Sequence, residues 1–164
     1  MEVNENNLLN EKTRHIIECM EKNGVEIKTD FGFENSSYYN NNEALININA
    51  ESVHTQALSH NVDFNTAYQH VLAHEYGHYL DKPYLDKFEE GHQRDFVAYF
   101  LFGIPFKGIY KTELRAWINA RKVLNQFEIE YNEAFENYAL LGYKKSLGIS
   151  DAEEFVIKRE LKDE

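Results

Sequence analysis

The segment over residues 66–82 combines the apolar spacing of a helix with two histidines on the same face. Its stripe consists of Ala67, Val71, His74 and His78, at offsets of zero, four, seven and eleven residues. This spacing places side chains one above another on an α-helix. A buried imidazole needs partners for both nitrogens, one a ligand and the other a carboxylate or carbonyl acceptor. We therefore expect a buried helix with a polar centre, against which the rest of the chain packs.

The sequence also marks the two ends of this helix. Thr66 and Gln69 have the spacing of a capping box, so the helix should begin near residue 66. Pro83 disfavours the helical conformation of the preceding residue, so the helix should end at Lys82. Gly77 lies within the helix, where glycine costs about 1 kcal/mol of stability relative to alanine. Its presence there indicates that something packs very close to it.

Residues 74–78 read His-Glu-Tyr-Gly-His, which is the HExxH pattern of zinc peptidases. Two histidines four residues apart on a helix can hold a divalent transition metal between their imidazoles. Glu75 lies between them, within reach of a water on that metal. The motif therefore predicts Zn²⁺ as cofactor, with His74 and His78 as metal ligands and Glu75 as the catalytic general base.

Zinc at a catalytic site needs a third protein ligand. The HExxHxxGxxH arrangement is absent, because residues 81 and 84 are Asp81 and Tyr84. Glu113 lies three residues before Ala116 and extends the apolar stripe of a second predicted helix over residues 110–126. A carboxylate on a buried face must be paired or must bind a metal, because burying a lone charge is very costly. We therefore predict Glu113 as the third ligand.

Other interpretations of these residues stay open. Glu113 could instead pair with Arg115 or Arg121, or be solvated in the first helical turn, where the helix dipole favours it. The rival third ligands are Asp81, Glu89, Glu90, His92 and Asp95. His70 precedes His74 by four residues, a step that drifts by about 40° around the helix, so it is interpreted as a polar neighbour. Tyr110, His92 and Tyr84 could each stabilise a developing oxyanion, but for none of them is this role favoured over a structural one.

Two stretches together resemble a gluzincin: Ala-His-Glu-Tyr-Gly-His at residues 73–78 and Glu-Leu-Arg-Ala-Trp-Ile-Asn-Ala at residues 113–120. They are similar to the small ImmA/IrrE-like metallopeptidases of bacteria and their mobile elements. In that family the second helix supplies the third ligand from a glutamate followed by two alanines, matched here by Glu113, Ala116 and Ala120. The family usually has Asn where this chain has Trp117. The resemblance implies a zincin-like fold, with an edge strand that maps onto residues 44–49.

The remaining patterns predict a mostly helical α+β domain over residues 1–164, with a small sheet packed against the active-site helix. The further expected helices cover residues 7–22, 52–61, 92–103, 128–146 and 151–162, the strands 25–31 and 44–49, and the loops 32–43 and 84–92. The apolar residues of 92–103 are interpreted as core. Gly148 should end the helix before it, and Ser150 and Glu153 have the spacing of a capping box.

Composition limits the classes of partner. The formal net charge of −11 argues against nucleic acid, because phosphate binding needs a basic surface. No apolar run reaches membrane-spanning length, and the N-terminus lacks the basic start and apolar stretch of a secretory signal. The single cysteine, Cys19, allows no internal disulfide. We therefore expect a cytoplasmic protein whose partner is a protein or peptide rather than nucleic acid or membrane.

Two functions fit these observations. The first is a zinc metallopeptidase that hydrolyses peptide bonds by metal-activated water, with Glu75 as the general base. The alternative is a non-catalytic zincin-like regulatory or binding module of a bacterial or phage and mobile-element protein, in which metal serves folding or partner recognition. A weaker alternative is a structural protein that contains the HExxH pattern by chance.

Overall fold

Helices dominate the computed structural model, which describes residues 8–32 and 36–164. They account for 69% of the structure and accompany one small mixed sheet, which confirms the predicted mostly helical α+β class. The described elements, in chain order, are α1 (Glu11–Glu21), β1 (Glu26–Asp30), β2 (Tyr38–Asn40), β3 (Leu45–Asn49), α2 (Ala50–His60), α3 (Phe64–Leu80), α4 (Lys82–Gly91), α5 (Gln93–Phe102), α6 (Gly108–Gln126), α7 (Glu133–Leu147) and α8 (Asp151–Asp163).

The helix α3 lies at the centre of the structure, with every residue from Ala67 to Gly77 buried. It packs most extensively against α6 and also contacts α1, α2 and the sheet. Among the polar side chains that α3 buries, Gln69 donates a hydrogen bond to the Thr13 hydroxyl (2.9 Å). The apolar spacing of residues 66–82 therefore correctly indicates a buried helix with a polar centre.

The ends of α3 differ from the sequence prediction. Its N-cap is Asp63, whose carboxylate accepts a hydrogen bond from the backbone N–H of Thr66 (3.0 Å). The predicted capping box is wrong, because the Gln69 side chain reaches Thr13 rather than the helix terminus. The helix ends at Leu80 with Asp81 as C-cap, and Pro83 lies in the first turn of α4. The proline therefore begins a new helix, and the predicted loop over residues 84–92 is wrong.

The sheet has the order β1-β3-β2, so β3 is the central strand. β3 pairs parallel to β1 (Ile27 opposite Ile46) and antiparallel to β2 (Tyr38 opposite Asn47). The prediction that residues 44–49 form an edge strand is therefore wrong, because part of the expected loop 32–43 forms β2 and covers that edge. Asn49 is buried because its side chain caps α2, accepting from the Ser52 N–H (2.8 Å).

The helix α5 also departs from expectation. None of its residues is buried, and Phe100, Leu101 and Phe102 are 73%, 71% and 73% exposed. The prediction that these residues belong to the core is wrong, although Phe96 and Tyr99 pack partly against it. No helix within the described ranges, 8–32 and 36–164, has both the length and the apolar character needed to cross a membrane.

The end of α7 and the start of α8 agree with the boundaries predicted from the sequence. α7 ends at Gly148, which adopts a left-handed conformation with φ +65°, as the glycine stop signal predicts. Ser150 and Glu153 form the predicted capping box at the start of α8. At the other end, α1 begins at Glu11 after the N-cap Asn10. The start predicted at residue 7 and part of the predicted loop, residues 33–35, lie outside the described residues.

Candidate metal centre

Two histidines of α3 and one glutamate of α6 converge in the interior. The Nε2 atom of His74 lies 3.1 Å from Oε2 of Glu113, and Nε2 of His78 lies 3.5 Å from Oε1 of Glu113. One ligand atom from each residue lies within 4.8 Å of the others. The structure thus brings together the three residues that the sequence predicts as ligands.

The geometry of this triad fits a metal ion. Ligands at about 2.0–2.2 Å from a tetrahedral centre lie about 3.3–3.6 Å from one another, close to the 3.1 and 3.5 Å that separate Glu113 from His74 and His78. Oε2 of Glu113 is buried and, although it lies 3.1 Å from Nε2 of His74, it has no hydrogen-bond partner among the described residues. The three side chains are only 9–13% exposed. A buried set of two imidazoles and a carboxylate could therefore bind a divalent metal, although these donors suit several metals.

The charges of the site favour an ionised Glu113. Burial alone would raise the pKa of the Glu113 carboxyl, but His78 and His74 outweigh it and hold that pKa well below its ordinary value. Burial lowers the pKa of the His78 imidazole, and Glu113 more than reverses this, so the net shift is upward. Burial raises the pKa of Glu75, against the opposing effect of the two histidines. Glu113 therefore has the charge of a ligand, whereas Glu75 has the proton affinity of an acid–base group.

Close contact between α3 and α6 sets the separation of the ligands. A Cβ atom built on Gly77 would lie 2.2 Å from the carbonyl oxygen of Ala116 and 3.2 Å from its Cα. The Asn119 side chain donates a hydrogen bond to the carbonyl oxygen of Gly77 (3.1 Å), which ties the helices together at the same point. The prediction that another group packs very close to Gly77 is confirmed, and that group is the backbone of α6.

The indole of Trp117 stacks on the imidazole of His74, with ring centroids 4.4 Å apart and an interplanar angle of 28°. The Nδ1 atom of His74 is buried and has no hydrogen-bond partner within the described residues. The expected carboxylate or carbonyl acceptor for this nitrogen is therefore not found there. The stacked indole and the Glu113 carboxylate, 3.1 Å from Nε2, both contact the His74 ring and restrict its orientation.

A cavity of about 340 Å³ opens onto the triad. Its lining includes the general-base candidate Glu75 and residues from β2, α4, α5 and α7, among them Tyr39, Glu89, Phe100 and Tyr143. The cavity reaches from the triad to the exposed side chain of Phe100 on α5.

Sequence reasoning missed Tyr143, which lines the same cavity. Burial is the largest cause that raises the pKa of its hydroxyl, followed by the charges of Glu113 and Glu75. The side chain therefore stays protonated beside both carboxylates and can donate a hydrogen bond. No local signal could have found Tyr143, because it lies on α7, away from both motifs, and only packing brings it to the site.

The three oxyanion candidates from the sequence all point elsewhere. The Tyr110 hydroxyl donates to Glu154 (2.7 Å). The His92 ring nitrogen Nδ1 lies 2.9 Å from the carbonyl oxygen of Phe88. The Tyr84 ring lies under the Arg115 guanidinium, 3.8 Å from its centroid. None of these three side chains lines the cavity of the triad, and each has a structural contact of its own.

The rival third ligands are also separated from the triad. Asp81 forms a bidentate ion pair with Arg115, at 2.6 and 2.8 Å. Arg121 pairs with Glu136 (2.6 Å), so neither arginine neutralises Glu113. Glu89 reaches the cavity lining without joining the triad. The remaining rivals, which belong neither to the triad nor to the lining of its cavity, are Glu90, His92 and Asp95.

His70 has a structural role, as the sequence indicates. Its Nδ1 donates to the carbonyl oxygen of Thr66 (2.8 Å), and its Nε2 accepts from the backbone N–H of Asn132 (3.0 Å). Burial lowers the pKa of this imidazole, which keeps it neutral and suits both hydrogen bonds.

No protein-family model, curated protein or solved structure matches the chain, so a functional conclusion depends on the site itself.

Proposed function

We propose that this protein is a zinc metallopeptidase of the gluzincin type, with a zincin-like fold. One observation carries the proposal: the ligand atoms of His74, His78 and Glu113 converge beside Glu75 in a single cavity. The similarity of the two helical motifs to ImmA/IrrE-like metallopeptidases supports the same reaction. The strongly acidic charge of the chain favours a protein or peptide substrate over nucleic acid. We also propose that the protein is cytoplasmic and belongs to a bacterium or a mobile element.

Zinc in such a site supplies Lewis-acid chemistry, since it lowers the pKa of water and polarises a peptide carbonyl. Glu75 takes the proton of the attacking water and delivers it to the leaving amine. The raised pKa of its buried carboxyl suits both transfers, because an acid–base group works best when its pKa approaches the working pH. Glu113 stays ionised between the imidazoles and takes no part in proton transfer.

Tyr143 is the residue that we propose for stabilising the oxyanion, a role that the sequence left open. Its hydroxyl lies in the cavity beside the carboxylates of Glu113 and Glu75. A protonated phenol there can donate to an oxyanion that develops on the peptide carbonyl. Replacement by phenylalanine should therefore lower kcat, with metal binding retained.

The strand β2 replaces residues 44–49 as the proposed support for substrate. Among the described residues β2 pairs with β3 alone, so its other edge can take an extended peptide by strand addition. Tyr38 and Tyr39 of β2 line the metal cavity, as do Ser36 and Ser37 just before it. A peptide paired with β2 would therefore pass beside Glu75.

The test compares zinc-loaded wild type with Glu75→Gln on a complex peptide mixture, with the products identified by mass spectrometry. We expect zinc-dependent cleavage by the wild type, and none by the variant although it keeps its zinc. His74→Ala should lose the metal itself. Normal hydrolysis by zinc-loaded Glu75→Gln would contradict the mechanism, and zinc binding without Glu75-dependent cleavage of any substrate would favour the non-catalytic binding module.

A further inference from the structure

A second cavity, of about 540 Å³, adjoins the metal cavity along α4 and α5. Glu89, Phe96 and Phe100 line both cavities, so the two lie side by side. Glu90 and Val97 line only the second cavity. This α4–α5 groove (Glu89, Glu90, Phe96, Val97 and Phe100) borders the metal cavity and is open to solvent, since Phe100 is 73% exposed.

The groove has an exposed apolar wall. Val97 and Phe100 are 52% and 73% exposed, and the rings of Phe96 and Phe100 lie parallel with centroids 6.1 Å apart. Exposed apolar side chains grouped beside a cavity are typical of a binding surface rather than of ordinary solvent-facing residues. Because Phe96 and Phe100 also line the metal cavity, a molecule bound on this wall lies next to the triad, as the substrate of the site would.

The α4–α5 groove also carries negative charge. Neither Glu89 nor Glu90 forms an ion pair with any residue of the described ranges, whereas the nearby Asp86 is paired with Lys82 (3.1 Å). No lysine or arginine of the described chain lines either cavity. Two carboxylates therefore remain available to an incoming cation, next to an apolar wall.

We propose that the α4–α5 groove selects an extended peptide segment in which a lysine or arginine lies next to a large apolar residue. The apolar side chain of the peptide packs on Phe96 and Phe100, and its cation faces Glu89 and Glu90. The peptide backbone continues towards Glu75. The inference rests on the proposed function, because it names the substrate class of the same cleft.

The test measures peptide binding to zinc-loaded Glu75→Gln by NMR titration, so that hydrolysis does not interfere. The probes are blocked Gly-Ser peptides with a central Lys-Phe, Glu-Phe, Lys-Ala or Ala-Ala pair, each made in both orders. We expect the Lys–Phe peptides to bind tightest, and the change from Lys to Glu to weaken binding on the order of tenfold. Equal affinity for all pairs, or no binding at millimolar concentration, would overturn the inference.

Two variants with matched controls assign the preference to the groove. The double variant Glu89→Lys with Glu90→Lys should reverse the preference in favour of Glu-Phe. The control Glu18→Lys with Glu21→Lys changes the net charge equally on the exposed face of α1, and it should leave the preference unchanged. Phe100→Ala should weaken binding of Lys-Phe by about tenfold. Phe155→Ala, which removes a ring that is 68% exposed on α8, should not. Equal effects of groove and control variants would also overturn the inference.

Cleavage of the same peptides by zinc-loaded wild type separates this inference from the proposed function. Zinc-dependent cleavage without preference for the Lys–Phe pair contradicts the groove assignment alone. Selective binding in the groove without any cleavage that depends on zinc and Glu75 contradicts the proposed peptidase activity alone.

Discussion

Gly77 packs so closely on Ala116 that a Cβ atom at position 77 would lie 2.2 Å from the Ala116 carbonyl oxygen. The obstacle is helix backbone, which cannot move without separating α3 from α6. We therefore predict that Gly77→Ala lowers the free energy of unfolding by about 1–3 kcal/mol or more. It should also weaken zinc binding, because α3 supplies two ligands and α6 the third. Chemical denaturation and zinc titration by calorimetry measure the two effects.

Gly142 provides the matched control for this substitution. It lies within α7, and a Cβ atom added there would meet no atom within 4 Å. Gly142→Ala should raise the free energy of unfolding by about 0.5–1 kcal/mol, because alanine favours a helix more than glycine. Equal losses of stability in the two variants would contradict the role assigned to the Gly77–Ala116 contact.

The stacking of Trp117 on His74 predicts a graded effect on metal affinity. Trp117→Phe keeps an aromatic face against the imidazole and should change the zinc Kd little. Trp117→Ala removes it and should weaken zinc binding by about 10- to 100-fold, the range found when groups that orient a ligand are lost. Competition with a chromophoric chelator measures these affinities. Unchanged affinity in folded Trp117→Ala would show that another contact orients His74.

Zinc should stabilise the folded protein through Glu113. A ligand that binds only the folded state raises the free energy of unfolding by about 2.7 kcal/mol at a free concentration of 100 times its Kd. The midpoint temperature of thermal unfolding of the wild type should therefore rise with added zinc. Glu113→Gln should lose most of this rise. Glu89→Gln, which alters another carboxylate of the cavity, should retain it. A shift in Glu113→Gln as large as that of the wild type would exclude Glu113 as a ligand.

Glu154 should make the anchoring of α8 sensitive to acid. Burial alone would raise the pKa of this carboxyl, but hydrogen bonds from Lys144, Lys158 and Tyr110 outweigh it and lower the pKa to about 2. A depressed pKa gives stability that is complete above the ordinary pKa near 4.5 and is lost as the pH falls towards 2. The expected contribution is about 1–3 kcal/mol.

Glu154→Gln should therefore lower stability at neutral pH and flatten its dependence on pH between about 4.5 and 2. The exposed Glu18 of α1 forms no ion pair with the described residues, so Glu18→Gln is the matched control. Urea denaturation at a series of pH values measures both. Parallel pH profiles for the wild type and Glu154→Gln would contradict the role of this carboxylate.

The metal triad could be predicted because each of its members is fixed by a local pattern. His74 and His78 are candidate ligands four residues apart on one helical face, and Glu113 is a charge on an otherwise apolar stripe. Both patterns follow from helix geometry and the cost of burying charge. The structure brings the three residues together, and the close approach that Gly77 indicates is the contact with α6.

The parts that could not be predicted depend on contacts between distant segments. β2 is a three-residue strand whose only partner in the described chain is β3, and nothing within Tyr38–Asn40 signals that pairing. The polar residue Asn49 reads as a half-solvated position, yet it is buried because it caps α2. Tyr143 reaches the cavity only because α7 packs on α6.

The helix α5 shows a different limit of sequence reasoning. Its apolar run reads as core, because hydrophobic residues are usually buried. In the structure Phe100 is 73% exposed and lines the groove beside the metal ligands. Hydrophobicity predicts that such a surface will be covered, and we propose that a peptide substrate covers it.

The measurement that tests the metal centre most directly is anomalous diffraction at the zinc absorption edge, from crystals of the protein grown with zinc. We expect one strong peak in the triad, about 2.0–2.2 Å from Nε2 of His74, Nε2 of His78 and a carboxylate oxygen of Glu113. A peak coordinated by the histidines without Glu113, or zinc bound only outside the triad, would contradict the central claim that α3 and α6 together form the metal site.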